Sequence, residues 1–188
     1  MATVKISALP GASTPLGGTE LLEMVQSGAS TKVTVADLRA YAYLNASSSV
    51  DQTGSTSAAT AFTMDTGTTG TGISVVSGSR ITFTNAGTYM LTPSVQFANS
   101  ASTNYTATVW FRKNGTDIAN SASIISVPKV ADGGATLCTV ALIDTVTAGQ
   151  YIEIMFLIQN AAVTADATAA GAVAPAVPSV LVPVTRIA

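Results

Sequence analysis

From residue 72 onward, the chain alternates short apolar segments with turn-forming residues, and this pattern predicts β-strands throughout. The pair Asn114-Gly115 gives the clearest hairpin signal, because both residues tolerate the positive φ angles that a two-residue turn requires. Short strands with tight turns and no long amphipathic helix predict an all-β, antiparallel sandwich over residues 72–188. The candidate strands are Ile73–Val76, Arg80–Thr84, Gly87–Ala98, Tyr105–Lys113, Thr116–Val127, Ala135–Val146, Tyr151–Gln159 and Val180–Ile187.

Residues 1–46 differ from the rest of the chain and are too few to fold stably alone. They open with a stretch rich in proline and glycine, which predicts an extended, turn-rich conformation. Two apolar runs, Leu21–Gln26 and Lys32–Val35, predict a β-hairpin. Thr34 and Asp37 are three positions apart, as a helix N-cap residue and its reciprocal partner are. The residues that follow them, Leu38–Leu44, predict a short helix. We interpret this segment as an N-terminal arm that attaches the chain to another surface.

Residues 47–71 are rich in Ser, Thr, Gly and Ala, and they predict a linker that leads into a weak first strand around Thr60–Met64. The glycine run Gly67–Gly72 has the spacing of a phosphate-binding loop, but neither a lysine nor a helical pattern follows it. We therefore predict a turn at this run and no nucleotide site.

The composition excludes several classes of protein. Only 10% of the 188 residues are charged and the formal net charge is −2, so the chain lacks the dense basic surface of a nucleic-acid-binding protein. Its mean hydropathy of +0.44 is too high for a disordered chain. The N-terminus lacks the pattern of a secretory signal, and prolines interrupt the uncharged stretch Ala167–Thr185, which argues against a membrane-spanning helix. We expect neither a nucleic acid nor a membrane as a partner.

The scarcity of charge also predicts self-association. A monomer normally keeps its surface solvated with charged side chains, whereas here Ser and Thr must do so, or another copy of the chain must cover the surface. Low-charge surfaces suit tight subunit contacts, because little charge is desolvated on association. The segment Tyr151–Ile158 loses its alternation after Glu153, which predicts that both of its faces are covered. We therefore predict an obligate oligomer, with a neutral, Thr-rich monomeric domain as the alternative.

The chain offers little for catalysis. It has no histidine and a single cysteine, Cys138, which excludes histidine-dependent catalysis, a disulfide within the chain and a zinc cluster. Its ten acidic residues are scattered, and Asp132-Gly133-Gly134 predicts a tight turn rather than a calcium loop. We predict no enzymatic activity, no metal and no cofactor. Cys138 lies in an apolar strand and is predicted to be a buried structural thiol.

Trp110 and Phe111 are adjacent in one candidate strand, so their side chains point to opposite faces and at least one belongs to the core. If outward, Trp110 would offer a sugar-binding surface together with Phe111 and Tyr105. From the sequence we favour a core position for Trp110.

Four landmarks occur in order along the second part of the chain: Ile81–Phe97 with Gly87 and Tyr89, Val109–Thr116 with its Lys-Asn-Gly turn, Thr145–Ile154, and Ser179–Val184. Together they resemble the jelly rolls of the tumour necrosis factor and complement globular-head superfamily. Gln150 stands where that superfamily usually has Asp. The resemblance implies a jelly-roll sandwich over residues 72–188 and a homotrimer packed around a threefold axis.

The front of the chain resembles a short N-terminal module found on tailed-bacteriophage virion proteins, where it precedes variable C-terminal domains. The segments that match are Lys5–Pro10, Gly18–Leu22, Val25–Gln26 and Thr31–Leu38. A module of this kind joined to a jelly roll is similar to phage head-decoration and fibre proteins. The resemblance implies a structural virion protein but does not give its location on the particle. We expect the capsid surface rather than the tail, because the sequence has no long shaft repeat or coiled coil, and we expect the protein in the host cytoplasm during assembly. Its partners would be further copies of itself and the major capsid protein or a tail protein.

Two sets of residues carry this hypothesis. For the trimer interface we expect Tyr89, Phe97, Tyr151 and Phe156. For the capsid anchor we expect Ile6, Leu9, Pro10, Leu16, Leu21 and Leu22. The alternative function is a tail fibre or receptor-binding module that recognises a host surface glycan.

Overall fold

The computed structural model describes residues 21–26, 28–34 and 41–188, and the chain divides into one unit up to Ala40 and a second from Tyr41 to Ala188. In the first unit, β1 (Leu21–Gln26) and β2 (Ala29–Thr34) form an antiparallel hairpin. Gly28 lies in its turn with a φ of 78°, which favours glycine. The predicted hairpin is therefore confirmed, with a shorter turn than the sequence indicated.

The short helix predicted for Leu38–Leu44 is wrong over the residues that the structure describes. Tyr41 and Ala42 have no regular structure, and β3 (Tyr43–Ser48) begins directly after them. The side chains of β3 alternate between exposed and buried, with Leu44 and Ala46 in the core. A period of two suits a strand that covers a core with one face, and this tertiary burial outweighs the local helical pattern. Residues 38–40 lie outside the described residues.

The second unit is an antiparallel all-β jelly-roll sandwich, as predicted. The nine strands of its first sheet are β3, β4 (Gln52–Thr53), β6 (Thr66–Thr71), β9 (Gly87–Leu91), β10 (Ser94–Asn99), β14 (Ala135–Thr139), β15 (Leu142–Val146), β17 (Val163–Ala165) and β18 (Val180–Arg186). The seven strands of its second sheet are β5 (Thr60–Ala61), β7 (Ile73–Val76), β8 (Arg80–Phe83), β11 (Tyr105–Lys113), β12 (Thr116–Asp117), β13 (Ser123–Val127) and β16 (Tyr151–Ile158). A single 3-10 turn at Val130–Asp132 precedes the glycine pair of the predicted tight turn.

Residues 41–71 belong to the sandwich rather than to an arm and a linker. The strand β3 pairs with β18 along six residues, β6 pairs with β3, and β5 pairs with β16. The run Gly67–Gly72, predicted as a turn, instead forms most of strand β6. Gly70 permits this close pairing, because a Cβ atom there would lie 2.6 Å from the carbonyl oxygen of Tyr43.

Three segments predicted as single long strands are each interrupted once. Thr116–Val127 divides into β12 and β13, and the other two interruptions lie in the first sheet. One of these lies between β9 and β10 at Thr92 and Pro93, and the other lies between β14 and β15 at Val140 and Ala141. Pro93 has no amide hydrogen to donate, but its carbonyl oxygen accepts a hydrogen bond of 3.1 Å from the Val140 amide. The two interruptions therefore lie beside each other in the sheet.

The core between the two sheets contains clustered aromatic rings. Phe62 stacks on Phe156 with ring centroids 4.1 Å apart, and Phe97 lies 6.4 Å from each of them. Phe83 and Tyr89 form a second pair at 4.5 Å. The Tyr89 hydroxyl donates to the carbonyl oxygen of Asn85 at 2.9 Å, so the one polar atom of this side chain is satisfied.

Candidate functional site

Three of the four residues expected at a trimer interface lie in the core of the single chain. Tyr89, Phe97 and Phe156 are each at most 1% exposed. A side chain without exposed surface has no area left to bury against a neighbour, so this part of the sequence hypothesis is corrected. Tyr151 is half-buried on the outer face of the second sheet, where the guanidinium of Arg80 lies 4.6 Å from its ring centroid.

The structure describes two of the six residues expected to form the capsid anchor. Leu21 and Leu22 lie in β1 and are exposed. The others lie outside the described residues: Ile6, Leu9, Pro10 and Leu16. The exposed Leu21 and Leu22 are available for contact with another protein.

The outer face of the first sheet carries no Asp, Glu, Lys or Arg on strands β3, β9, β10, β14, β15 and β18. We call it the uncharged face. Its outward residues are Tyr43, Asn45, Ser47, Thr88, Met90, Ser94, Gln96, Ala98, Ala135, Leu137, Thr139, Ile143, Thr145, Leu181, Pro183 and Thr185. Such a surface has hydroxyl, amide and apolar groups but no ion whose desolvation would oppose contact.

A row of outward side chains, three of them apolar and exposed, crosses four adjacent strands of the uncharged face. Ile143 pairs directly with Met90, Met90 with Thr185, and Thr185 with Tyr43. Ile143 is 62% exposed, Met90 38% and Tyr43 47%. Because neighbouring strands lie about 4.8 Å apart, the row extends roughly 14 Å across the sheet. Leu137 adds a further exposed apolar side chain on β14.

Of the ionised groups near this face, Asp144 and Lys113 are turned away from it, whereas Asp166 borders it beside Gln96, Ala98 and Ala135. Asp144 occupies an inward position on β15, and its Oδ2 lies 2.7 Å from Nζ of Lys113 on the second sheet. On the outward side, the hydroxyl groups of the next residue, Thr145, and of Thr88 lie 3.1 Å apart. The ion pair therefore links the two sheets at their edge, and the face itself remains neutral.

The outer face of the second sheet is charged. Asp117, Arg112, Glu153 and Arg80 form a row of alternating sign across strands β12, β11, β16 and β8. Nε of Arg112 lies 2.7 Å from Oδ1 of Asp117, and Nε of Arg80 lies 3.8 Å from Oε1 of Glu153. The row contains two positive and two negative groups, so it adds no net charge to the surface.

Trp110 lies on this charged face and is half-buried, while Phe111 is fully buried in the core. The placement of Trp110 in the core is therefore wrong, because the strand alternation gives the inward position to Phe111. The indole Nε1 of Trp110 donates to Oδ1 of Asp117 at 2.8 Å. Hydrogen bonds from Arg112 and then Trp110 lower the pKa of Asp117, and the same bond from Arg112 to Asp117 raises the pKa of Arg112.

An open hollow of about 320 Å³ lies further along strands β11 and β16, and the lining residue closest in sequence to Trp110 is Thr108, two positions before it on β11. It is lined by Thr56, Thr106, Thr108, Leu157, Ile158 and Gln159. The amide oxygen of Gln159 accepts a hydrogen bond of 3.0 Å from the Thr106 amide, which fixes the side chain of Gln159 at the rim. Most of the lining groups are hydroxyls and an amide, which suits a polar, uncharged ligand.

Cys138 is free and 4% exposed, as the sequence predicted. Its burial raises the pKa of the thiol, which disfavours the reactive thiolate. Among the described residues, no three His, Cys, Asp or Glu side chains come together as metal ligands. In that same part of the chain, no helix has the length and apolar character needed to cross a membrane.

Sequence reasoning missed the row on the uncharged face. The strands that form it carry apolar residues on both faces, so composition alone does not show which apolar residues enter the core. Met90 stands between the buried Tyr89 and Leu91, and that alternation was the available signal. Only the cross-strand register shows that Met90 lies beside Ile143.

No family model matches the sequence, and no curated protein matches it. Among solved structures, the chain is similar to crystal structures of murine APRIL at pH 8.5, pH 5.0 and pH 8.0. Each has a TM-score of 0.50 and 14% sequence identity, and each alignment covers 78% of this chain and 99% of the APRIL chain. At this identity the likeness concerns the fold alone. The chain therefore has a tumour necrosis factor-like jelly-roll fold.

Proposed function

We propose that the protein is a non-enzymatic structural protein of a tailed-bacteriophage virion, and that it decorates the capsid as a homotrimer. The uncharged face is the observation that carries this proposal. A jelly roll with a neutral, partly apolar sheet face is suited to packing against further copies of itself. The resemblance of the front of the chain to virion attachment modules supports the phage origin.

Self-association through the uncharged face follows from the balance of apolar and ionic terms. Removing apolar surface from water favours association by about 25 cal/mol per Å². The face carries Ile143, Met90 and Leu137 as exposed apolar side chains and no ion that must lose its hydration. Three copies would cover these side chains mutually, which also accounts for a chain with only 10% charged residues.

The N-terminal arm is proposed to join the trimer to the particle. Leu21 and Leu22 are exposed on β1 and supply apolar contact area. Three arms on one trimer bind with higher avidity than one arm alone. If each trimer contacts adjacent capsomers, its binding stabilises the assembled shell against expansion. The partner is the major capsid protein, with a tail protein as the other candidate, and the protein is present in the host cytoplasm during assembly.

Deletion of residues 1–34 tests this arrangement. The truncated chain should remain folded and trimeric, because Tyr41–Ala188 is a separate compact unit. It should fail to co-sediment with phage particles that lack the protein, whereas the full chain binds them. The double substitution Leu21→Asp and Leu22→Asp in the full chain should weaken binding in the same direction. Undiminished binding of the truncated trimer would contradict the role of the arm.

The second candidate function is recognition of a host surface glycan, as in a tail fibre or receptor-binding module. The outward position of Trp110 on the same strand as a polar hollow favours it. The two functions use opposite outer faces of the sandwich, so one molecule can perform both.

A further inference from the structure

We propose that the outer face of the second sheet is an oligosaccharide-binding site, with Trp110 as its stacking platform. The proposed ligand is a short, uncharged chain of pyranose rings that lies along strand β11. This inference rests on the glycan-recognition alternative and is independent of attachment to a capsid. Three features carry it: a fixed aromatic ring, polar groups with unused hydrogen-bonding capacity, and the hollow further along the strand.

Trp110 is held in place before any ligand arrives. Its Nε1 donates to Oδ1 of Asp117, which in turn accepts from Nε of Arg112 at 2.7 Å. Its cross-strand neighbour Met155 is buried, although Met155 lies on the outer face by strand alternation. An indole ring that is only half-buried and has its Nε1 satisfied suits the apolar C–H face of a sugar ring. Because the ring is already ordered, binding costs little conformational entropy there.

Arg112 and Asp117 retain groups that can bind sugar hydroxyls. Nε of Arg112 and Oδ1 of Asp117 are used in the network described above, whereas the terminal amino groups of Arg112 and Oδ2 of Asp117 have no hydrogen-bond partner among the described residues. The guanidinium offers donors and the carboxylate offers an acceptor. Neighbouring hydroxyl groups of a sugar can accept from the first and donate to the second, and hydrogen bonds to charged groups are the stronger kind.

The hollow extends the site along the same strand. Thr108 and Thr106 lie two and four residues before Trp110 on β11, with Leu157 directly across from Thr108. Gln159 adds an amide group whose nitrogen has no partner within the described part of the chain. From Thr106 to Arg112 the strand rises roughly 20 Å, which is long enough for several linked sugar rings.

The chemistry of this face favours a sugar over other ligands. Its row of four charges sums to zero, so it gives no net attraction for the phosphates of a nucleic acid. Exposed apolar side chains there occur singly, as with Ile124 and Val76, and do not form the contiguous patch that a protein partner would cover. Hydroxyl groups, one amide and a fixed indole ring are left as the recognition elements.

The chain contains a single tryptophan, so its intrinsic fluorescence reports on this site alone. The test titrates the full-length protein with maltotetraose, cellotetraose, chitotetraose and mannotetraose and records the emission of Trp110. We expect at least one tetrasaccharide to produce a saturable change with a Kd of about 0.1–1 mM. Asp117→Asn should raise that Kd at least about tenfold, since it weakens both the orientation of the indole and the acceptor for a hydroxyl.

Matched variants make the result decisive. Thr145→Ala on the uncharged face should leave sugar binding unchanged, and Trp110→Phe, measured by calorimetry, should abolish it. The monomerising variant Ile143→Lys should still bind sugar, so a failure of self-association is distinguished from a failure of this site. The absence of binding by every tetrasaccharide at 10 mM would overturn the proposal, and so would binding that persists in Trp110→Phe.

Discussion

Phe62 and Phe156 stack almost in parallel in the core, with ring centroids 4.1 Å apart and ring planes inclined by 14°. Both side chains are fully buried. Phe62 follows the short strand β5, and its amide donates to the carbonyl oxygen of Ile154 at 2.9 Å. This pair therefore fastens the segment around residues 60–64 to the central strand of the second sheet.

Replacing Phe62 with Ala is expected to destabilise the fold by about 3–5 kcal/mol, because it leaves a cavity against Phe156. Chemical denaturation of the purified protein measures this difference. Ile124→Ala is the control, since Ile124 is 74% exposed and its truncation should change stability by no more than about 0.5 kcal/mol. Equal effects of the two substitutions would show that the aromatic pair is not a central packing element.

Gly54 lies against the same aromatic ring. A Cβ atom at this position would lie 2.6 Å from Cε2 of Phe156 and 3.2 Å from Cγ2 of Ile158. Gly54→Ala is therefore expected to cost about 1–3 kcal/mol through overpacking. Gly171→Ala is the matched control, because a Cβ atom at Gly171 would have no neighbouring atom within 4 Å. A thermal melt should show a lower Tm for Gly54→Ala alone.

The ion pair on the charged face gives a prediction for acid pH. Arg112 holds the pKa of Asp117 below its ordinary value of 3.8. A carboxylate with a lowered pKa in the folded state contributes stability above its unfolded pKa and loses it as the pH falls through the folded pKa. The emission of Trp110, which donates to this carboxylate, should thus show an acidic transition with its midpoint below 3.8.

The same titration of Asp117→Asn provides the control, since the amide has no proton to gain. Its emission should show no such acidic transition. A transition in the native protein with a midpoint above 3.8 would contradict the assigned role of Arg112.

Cys138 is expected to resist thiol reagents in the folded protein. It is 4% exposed, and burial raises the pKa of its thiol, so little thiolate is available to react. A colorimetric disulfide reagent at about pH 8 should label it only after denaturant is added. The control is the double variant Cys138→Ser, Ser102→Cys, whose thiol lies at an exposed position and should react with the reagent at once. Rapid labelling of native Cys138 would show that its strand opens readily.

Local chemistry determines the elements that the sequence predicted well. Asn114 and Gly115 have φ angles of 48° and 83°, which only a few residue types adopt at low cost. The sequence therefore locates this turn without any knowledge of the fold. The same holds for Tyr105–Lys113, whose predicted bounds match β11, since its alternation is long and regular.

Tertiary pairing determines the elements that the sequence did not predict. The strand β3 contains the last two residues of the predicted helix and the first residues of the predicted linker, and it forms because β18 offers six residues of antiparallel pairing. The uncharged face depends on register in the same way: Met90 and Ile143 are 53 positions apart in the sequence and become neighbours only through the pairing of β9 with β15. Trp110 was misplaced because alternation fixes opposite faces but not which face is inward.

Sedimentation velocity of the native protein and of Ile143→Lys is the most direct test of self-association through the uncharged face. The native chain should sediment as a species of three times its 18.9 kDa mass at micromolar concentration. Ile143→Lys should sediment as a folded single chain, because a charge in the row must be desolvated on contact. Ile124→Lys, on the opposite face, should remain a trimer. A native protein that sediments as a single chain, or an Ile143→Lys variant that is as trimeric as Ile124→Lys, would contradict the account.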